Sequence, residues 1–141
     1  MTILNKSVIS LIVLLSGCTL GDHLEHRYTK ETLVPAHMRN IDVCLSLPIQ
    51  SNETVVSAIT YNIEKPLEQI IFPSDKQPKS GLFCILPSEF KFKTGQEYLT
   101  QIEVNIRADS EDKKSTRKAY VSTFQVVLKG DRLNIIQTLH K

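Results

Sequence analysis

Apolar and polar residues alternate along most of this chain beyond residue 30. Ile41, Val43, Leu45 and Leu47 are separated by Asp42, Cys44 and Ser46. Val55, Ser57, Ile59, Tyr61 and Ile63 form a second run of the same period, and Tyr120, Ser122, Phe124, Val126 and Leu128 another. Between them, Tyr98, Thr100, Ile102, Val104 and Ile106 alternate with Gln101, Glu103, Asn105 and Arg107. A period of two places every second side chain on the same side of an extended backbone, so each run predicts a strand with one face on a core. Shorter candidates lie at 33–38, 68–72, 82–86 and 133–139. No stretch carries a helical apolar stripe.

The punctuation agrees. Pro48, Pro66, Pro73, Pro78 and Pro87 all fall between runs, where a missing N–H breaks no ladder. Thr94-Gly95 precedes the third run, and Gly130-Asp131, between Lys129 and Arg132, suits a tight hairpin. About seven or eight short strands at this spacing predict an all-β fold, a single antiparallel β-sandwich, immunoglobulin-like or similar, over residues 31–141. With 141 residues, 41% of them hydrophobic, and only 5 Gly and 6 Pro, the chain has the composition of one folded domain.

The first residues read differently. Lys6 precedes the apolar run Val8–Leu15, which is far short of the ~20 residues of a spanning helix, and small residues follow, as in a secretory signal. Leu15-Ser16-Gly17-Cys18 resembles the bacterial lipobox. The resemblance implies removal of residues 1–17 as a lipoprotein signal peptide and a diacylglyceryl thioether on Cys18, the acylated first residue of the mature chain. Each buried methylene would contribute roughly 0.8 kcal/mol to membrane anchoring. Thr19, rather than Asp, follows Cys18, which implies sorting to the outer membrane with the domain on the periplasmic face. Residues 18–30 then form a lipidated tether. An ordinary secretory signal with an incidental Cys is the alternative. Loss of Lys6 lowers the net charge from +2 to +1, a balance that gives no reason to expect nucleic acid as a partner. Membrane attachment is expected through the lipid alone, with no other cofactor.

Cys44 and Cys84 remain, and an oxidising compartment makes a disulfide between them the economical reading. Two free buried thiols are the alternative, and a metal pair fits less well because no second ligand pair stands beside either residue. Cys44 has the opposite parity to Val43 and Leu45, so the bridge is not assigned to the core.

Candidate chemistry is sparse. His23 and His26 sit three residues apart in the tether beside Asp22 and Glu25; His37 and His140 lack local partners. No serine lies in a nucleophile elbow, neither Cys44 nor Cys84 has a nearby His, and no glycine loop suits a phosphate. Asn52-Glu53-Thr54 matches a glycosylation sequon without expected meaning in a bacterial lipoprotein. The expectation is a protein that is not an enzyme and holds no metal. The most distinctive non-core feature is 108–118, which joins the third and fourth runs. It carries Asp109, Glu111, Asp112, Lys113, Lys114, Arg117 and Lys118 and reads either as a solvated tip or as a recognition loop. Arg107, Arg117, Tyr120 and Arg132 are candidate exposed anchors.

The lipobox, Gly21-Asp22 with Leu24 and Arg27, Asn40 with Val43-Cys44, Phe83-Cys84, and Phe92 with Gly95 and Tyr98 together resemble a family of small Gram-negative lipoproteins described as type VI secretion immunity proteins of the periplasm. The charged loop and the C-terminal segment after Gly130 depart from a clean match. The resemblance implies non-catalytic binding and neutralisation of a protein toxin, and no contact residue is carried over from it. The competing readings are a structural or accessory envelope or secretion lipoprotein, and an inhibitor of the lysozyme type.

Overall fold

A computed structural model describes residues 30–108 and 115–138. They form nine strands: β1 (Lys30–Leu33), β2 (Ala36–Arg39), β3 (Asp42–Ser46), β4 (Glu53–Asn62), β5 (Gln69–Ile71), β6 (Leu82–Ile85), β7 (Glu97–Ile106), β8 (Thr116–Lys129) and β9 (Arg132–Thr138). The larger sheet runs β1-β8-β7-β4-β5, with β9 also on β8; the smaller runs β2-β3-β6. The fold is therefore an all-β sandwich. The expectation that it is wholly antiparallel fails at one place, because β1 lies parallel to β8.

β8 is long, and two strands share one of its edges. β1 pairs with Lys118–Val121, and β9 pairs with Thr123–Lys129. The 33–38 candidate is not one strand but two, because the chain leaves the large sheet at Val34-Pro35 and enters the small one. Val34 still donates its N–H to Val121 O at 2.9 Å, whereas Pro35 has no N–H and offers its carbonyl to Ser46 N at 3.1 Å. Gln137 closes the junction. Its amide nitrogen donates to Ser122 Oγ (2.8 Å) and Thr123 O (2.7 Å), and its oxygen accepts from Ala36 N (2.9 Å).

The core lies between the sheets. Val43, Leu45, Phe83 and Ile85 from the small sheet meet Tyr98, Ile102, Tyr120, Phe124 and Val126 from the large one. The alternation of the third and fourth runs is thus realised on β7 and β8. On β4 it is realised only in part. A bulge between Val55 and Ser57 shifts the register, so that Ala58, Thr60 and Asn62, rather than Ile59 and Tyr61, face inward and are buried. Gln77 occupies the backbone of Val55 like a short strand, accepting from its N–H at 3.0 Å and donating to its carbonyl at 2.8 Å. The inward polar groups are satisfied. Thr60 and Thr100 share a 2.7 Å hydroxyl bond, and Asn62 accepts from the N–H groups of Glu64 (3.0 Å) and Lys65 (3.2 Å).

Three two-residue turns close hairpins. Gly130 has φ 66° before Asp131, and Asn40 has φ 59° before Ile41. Ser80 and Gly81 both have positive φ, 52° and 75°, as a primed turn requires. A methyl group on Gly81 would also sit 3.3 Å from Leu47 O.

Cys44 and Cys84 are disulfide-bonded and lie directly opposite one another in the β3–β6 ladder. Their neighbours Val43, Leu45, Phe83 and Ile85 point into the core, so the bridge sits on the far face of the small sheet. It joins two strands of one sheet, not the two sheets. The closed loop spans 40 residues, and on the chain-entropy model the bridge stabilises by roughly 4 kcal/mol. Cys44→Ser and Cys84→Ser are each expected to lower the melting temperature in non-reducing buffer. Reductant should bring the parent protein towards the variants and leave the variants unchanged; two titratable thiols in the folded parent would contradict the bridge.

Candidate functional site

The residues singled out from the sequence scatter over the molecule. Leu15, Ser16, Gly17 and Cys18 lie outside the described residues, as do Asp109, Glu111, Asp112, Lys113 and Lys114 of the charged loop and His23, His26 and His140. Arg117 lies within β8, its side chain 59% exposed and 4.0 Å from Glu103. Arg107 and Arg132 are exposed. Tyr120 is not an exposed anchor: only 1% of it is accessible, because it shares the inward face of β8 with Phe124 and Val126. Among the described residues, no three His, Cys, Asp or Glu side chains converge as a metal cage.

Tyr120 belongs to a polar cluster that the sequence did not reveal. Glu53, at the start of β4, accepts from Tyr120 OH (2.9 Å) and Gln50 N (3.0 Å) and pairs with Lys118, whose ammonium also lies 5.0 Å from the Tyr120 ring centre. Alternation brings Lys118 and Tyr120 to the same side of β8, and the 47–53 connection folds Glu53 over them. Burial pushes the Glu53 carboxyl up, but the bonds from Lys118, Gln50 and Tyr120 together outweigh it and hold the group below the usual glutamate range. For Lys118 burial acts downward, and the bonds to Glu53 and Tyr120 outweigh it, leaving the ammonium raised. Burial raises the Tyr120 phenol. Each shift fixes the neutral-pH state, carboxylate, ammonium and phenol alike, and so works against proton transfer. The cluster fastens a loop to the sheet.

The opposite end of the sandwich is open. There the β2–β3 and β8–β9 hairpin tips flank an open cleft of about 1000 Å³, lined by His37, Asn40, Lys129, Asp131, Arg132 and Asn134 among others. It adjoins an apolar pocket of about 290 Å³, and the two share Met38, Ile41 and Leu133. Phe90 and Phe92 line the pocket; both stack edge-on against Tyr98, at 5.7 and 4.8 Å between ring centres, so the wall is anchored in the core. Ile41 is 66% exposed at the β2–β3 tip, and Leu128 and Leu133, paired across β8 and β9, are 61% and 38% exposed. No motif marks this site, because its residues come from three separated segments. Ile41 within the β2–β3 turn and Leu128 and Leu133 on either side of Gly130-Asp131 are the exposed apolar residues of this end.

Residues 31–129 match the family described as Domain of unknown function (DUF7480). No curated protein and no solved structure matches the chain.

The Glu53 cluster carries a pH signature. The Glu53 folded value lies below 4.5, so its contribution is present above that pH and is lost as pH falls through the folded value. Lys118 lies above 10.5, so its contribution is present below that pH and is lost as pH rises through the folded value. Glu53→Gln is expected to cost roughly 1–3 kcal/mol at neutral pH by leaving Lys118 and Tyr120 short of a partner. Urea denaturation should show that cost shrinking as pH falls below 4.5 and through the folded value, where the parent carboxylate takes up its own proton.

Proposed function

The chain belongs to this family, whose description assigns no activity, and we propose that it is a periplasmic lipoprotein of the outer membrane that binds and neutralises a protein toxin delivered by type VI secretion. Its role is to grip, not to transform. The observation that carries this reading is the Leu15-Ser16-Gly17-Cys18 segment at the end of an apolar run, joined to a compact, disulfide-closed sandwich. Acyl chains on Cys18 hold the domain where such a toxin arrives and raise its local concentration. The Cys44–Cys84 bridge and the two-layer core keep the binding surface rigid, so that little entropy is lost on association.

The charged loop at 108–118 and the open cleft at the other end are the two candidate contact faces. The resemblance to periplasmic immunity lipoproteins rests on the cysteine, aromatic and lipobox positions already given.

Periplasmic expression of the type VI toxin that this chain is proposed to neutralise, to be sought in the neighbouring reading frame, should kill cells that lack the chain and spare cells that carry it. Unchanged killing in cells whose acylated protein is correctly localised would overturn the immunity role. Cys18→Ala should release the protein from the membrane fraction and reduce protection, read as survival and by membrane fractionation.

A further inference from the structure

We propose that the cleft between the β2–β3 and β8–β9 tips docks an acidic protein segment carrying one bulky apolar side chain, an inference that rests on the binding role proposed above. The apolar side chain enters the 290 Å³ pocket walled by Met38, Val43, Ile85, Phe90, Phe92 and Val126. The flanking carboxylates meet Lys91, Lys129 and Arg132.

Charge complementarity singles out this occupant. Lys91 lines the apolar pocket, Lys129 and Arg132 line the cleft, and all three are exposed. The ion pairs among the described residues lie elsewhere: Lys76–Glu89, Lys93–Glu68, Arg117–Glu103 and Lys118–Glu53. Among the described residues, the cations at the cleft therefore have no ion-pair partner. Asp131 is the acidic lining residue; Arg39 and Asp42 face each other across the β2–β3 ladder and offset in charge. A nearly neutral chain thus concentrates positive charge around an apolar hole. Such a hole favours an aromatic or long aliphatic anchor, and the surrounding cations steer and select an acidic partner.

The geometry also suits insertion. Ile41 is forced to the surface by its place in a two-residue turn, and Leu133 stands opposite on the other tip. Together they form apolar lips above a pocket whose wall is held by Tyr98 and Phe124 through Phe92. Both tips end at a residue with positive φ, Asn40 and Gly130, so their position is set by the turns and not by the ligand.

The test uses the full acylated chain in detergent micelles and three dye-labelled peptides: Asp-Glu-Phe-Glu-Asp, the same peptide with Ala for Phe, and Lys-Arg-Phe-Arg-Lys. Fluorescence anisotropy should show saturable binding of the first. The other two should bind at least about tenfold more weakly, the loss expected when an anchor or its charge is removed. Lys129→Glu with Arg132→Glu, and separately Ile41→Asp, should each weaken the first peptide by a similar factor; circular dichroism and the melting temperature of these exposed-site variants should match the parent. Added salt should weaken binding to the parent more than to the charge-reversed variant. The proposal is overturned if the acidic Phe peptide does not saturate, or if the charge-reversed variant binds it equally. It is also overturned if sedimentation shows a dimer that the same variant abolishes, which would assign the cleft to a second copy. Binding of phosphatidylglycerol vesicles by Cys18→Ala that is lost on charge reversal would assign it to lipid. Failure of the parent chain to protect against toxin would remove the immunity role but leave the peptide titration readable. A charge-reversed variant that both protects and binds peptide like the parent would sink the cleft alone.

Discussion

The edge of β8 is the constraint on which the rest of the architecture depends. A strand of 14 residues leaves a long row of backbone donors and acceptors on each side. β7 covers one side, and no single other strand covers the second. β1 takes the first stretch in parallel and β9 takes the remainder antiparallel. The change of partner leaves Ser122 between the two ladders, and the Gln137 amide nitrogen donates there to the Ser122 hydroxyl and the adjoining Thr123 carbonyl. The same side chain holds Ala36, the first residue of the small sheet. One amide thus joins the large sheet's edge to the chain crossing that creates the second layer.

That arrangement separates the two ends of the sandwich. At the β4 start, Glu53 folds over Lys118 and Tyr120, and charge is consumed internally. At the β8–β9 tip, Leu128 and Leu133 pair across the hairpin and stay exposed, and Leu133 lines the cleft opposite the β2–β3 tip. Apolar side chains emerge there beside Lys129 and Arg132, cations without an ion-pair partner among the described residues. An exposed apolar patch rimmed by charged residues marks an interaction surface.

The core shows a related economy. Thr60 and Thr100 lie opposite each other on β4 and β7, with Ser122 next in register on β8. A polar row therefore crosses the inside of an otherwise apolar sheet. Its cost is contained because the hydroxyls bond one another or Gln137. Such pairs reward one register, since a slip of one residue would bury them without partners.

Much of this fold is legible in the residues themselves. The alternation of β7 and β8, the hairpin at Gly130-Asp131 and the pairing of Cys44 with Cys84 follow from local periodicity, turn chemistry and cysteine count. The alternation and the hairpin are properties of neighbours along the chain, and the bridge follows from there being two cysteines left to pair, although they lie 40 residues apart. The bulge at Val56, which turns Ile59 and Tyr61 from the inward face, lies beside Val55, whose backbone bonds the Gln77 side chain from 22 residues away. Burial of Tyr120 beneath Glu53, the parallel placement of β1 and the meeting of two hairpin tips around a cleft depend on which strand lies beside which. Periodicity says which side chains share a face but not what that face meets. Strand order and register decide that, because they arise from contacts between segments far apart in the chain, and only the tertiary structure contains them.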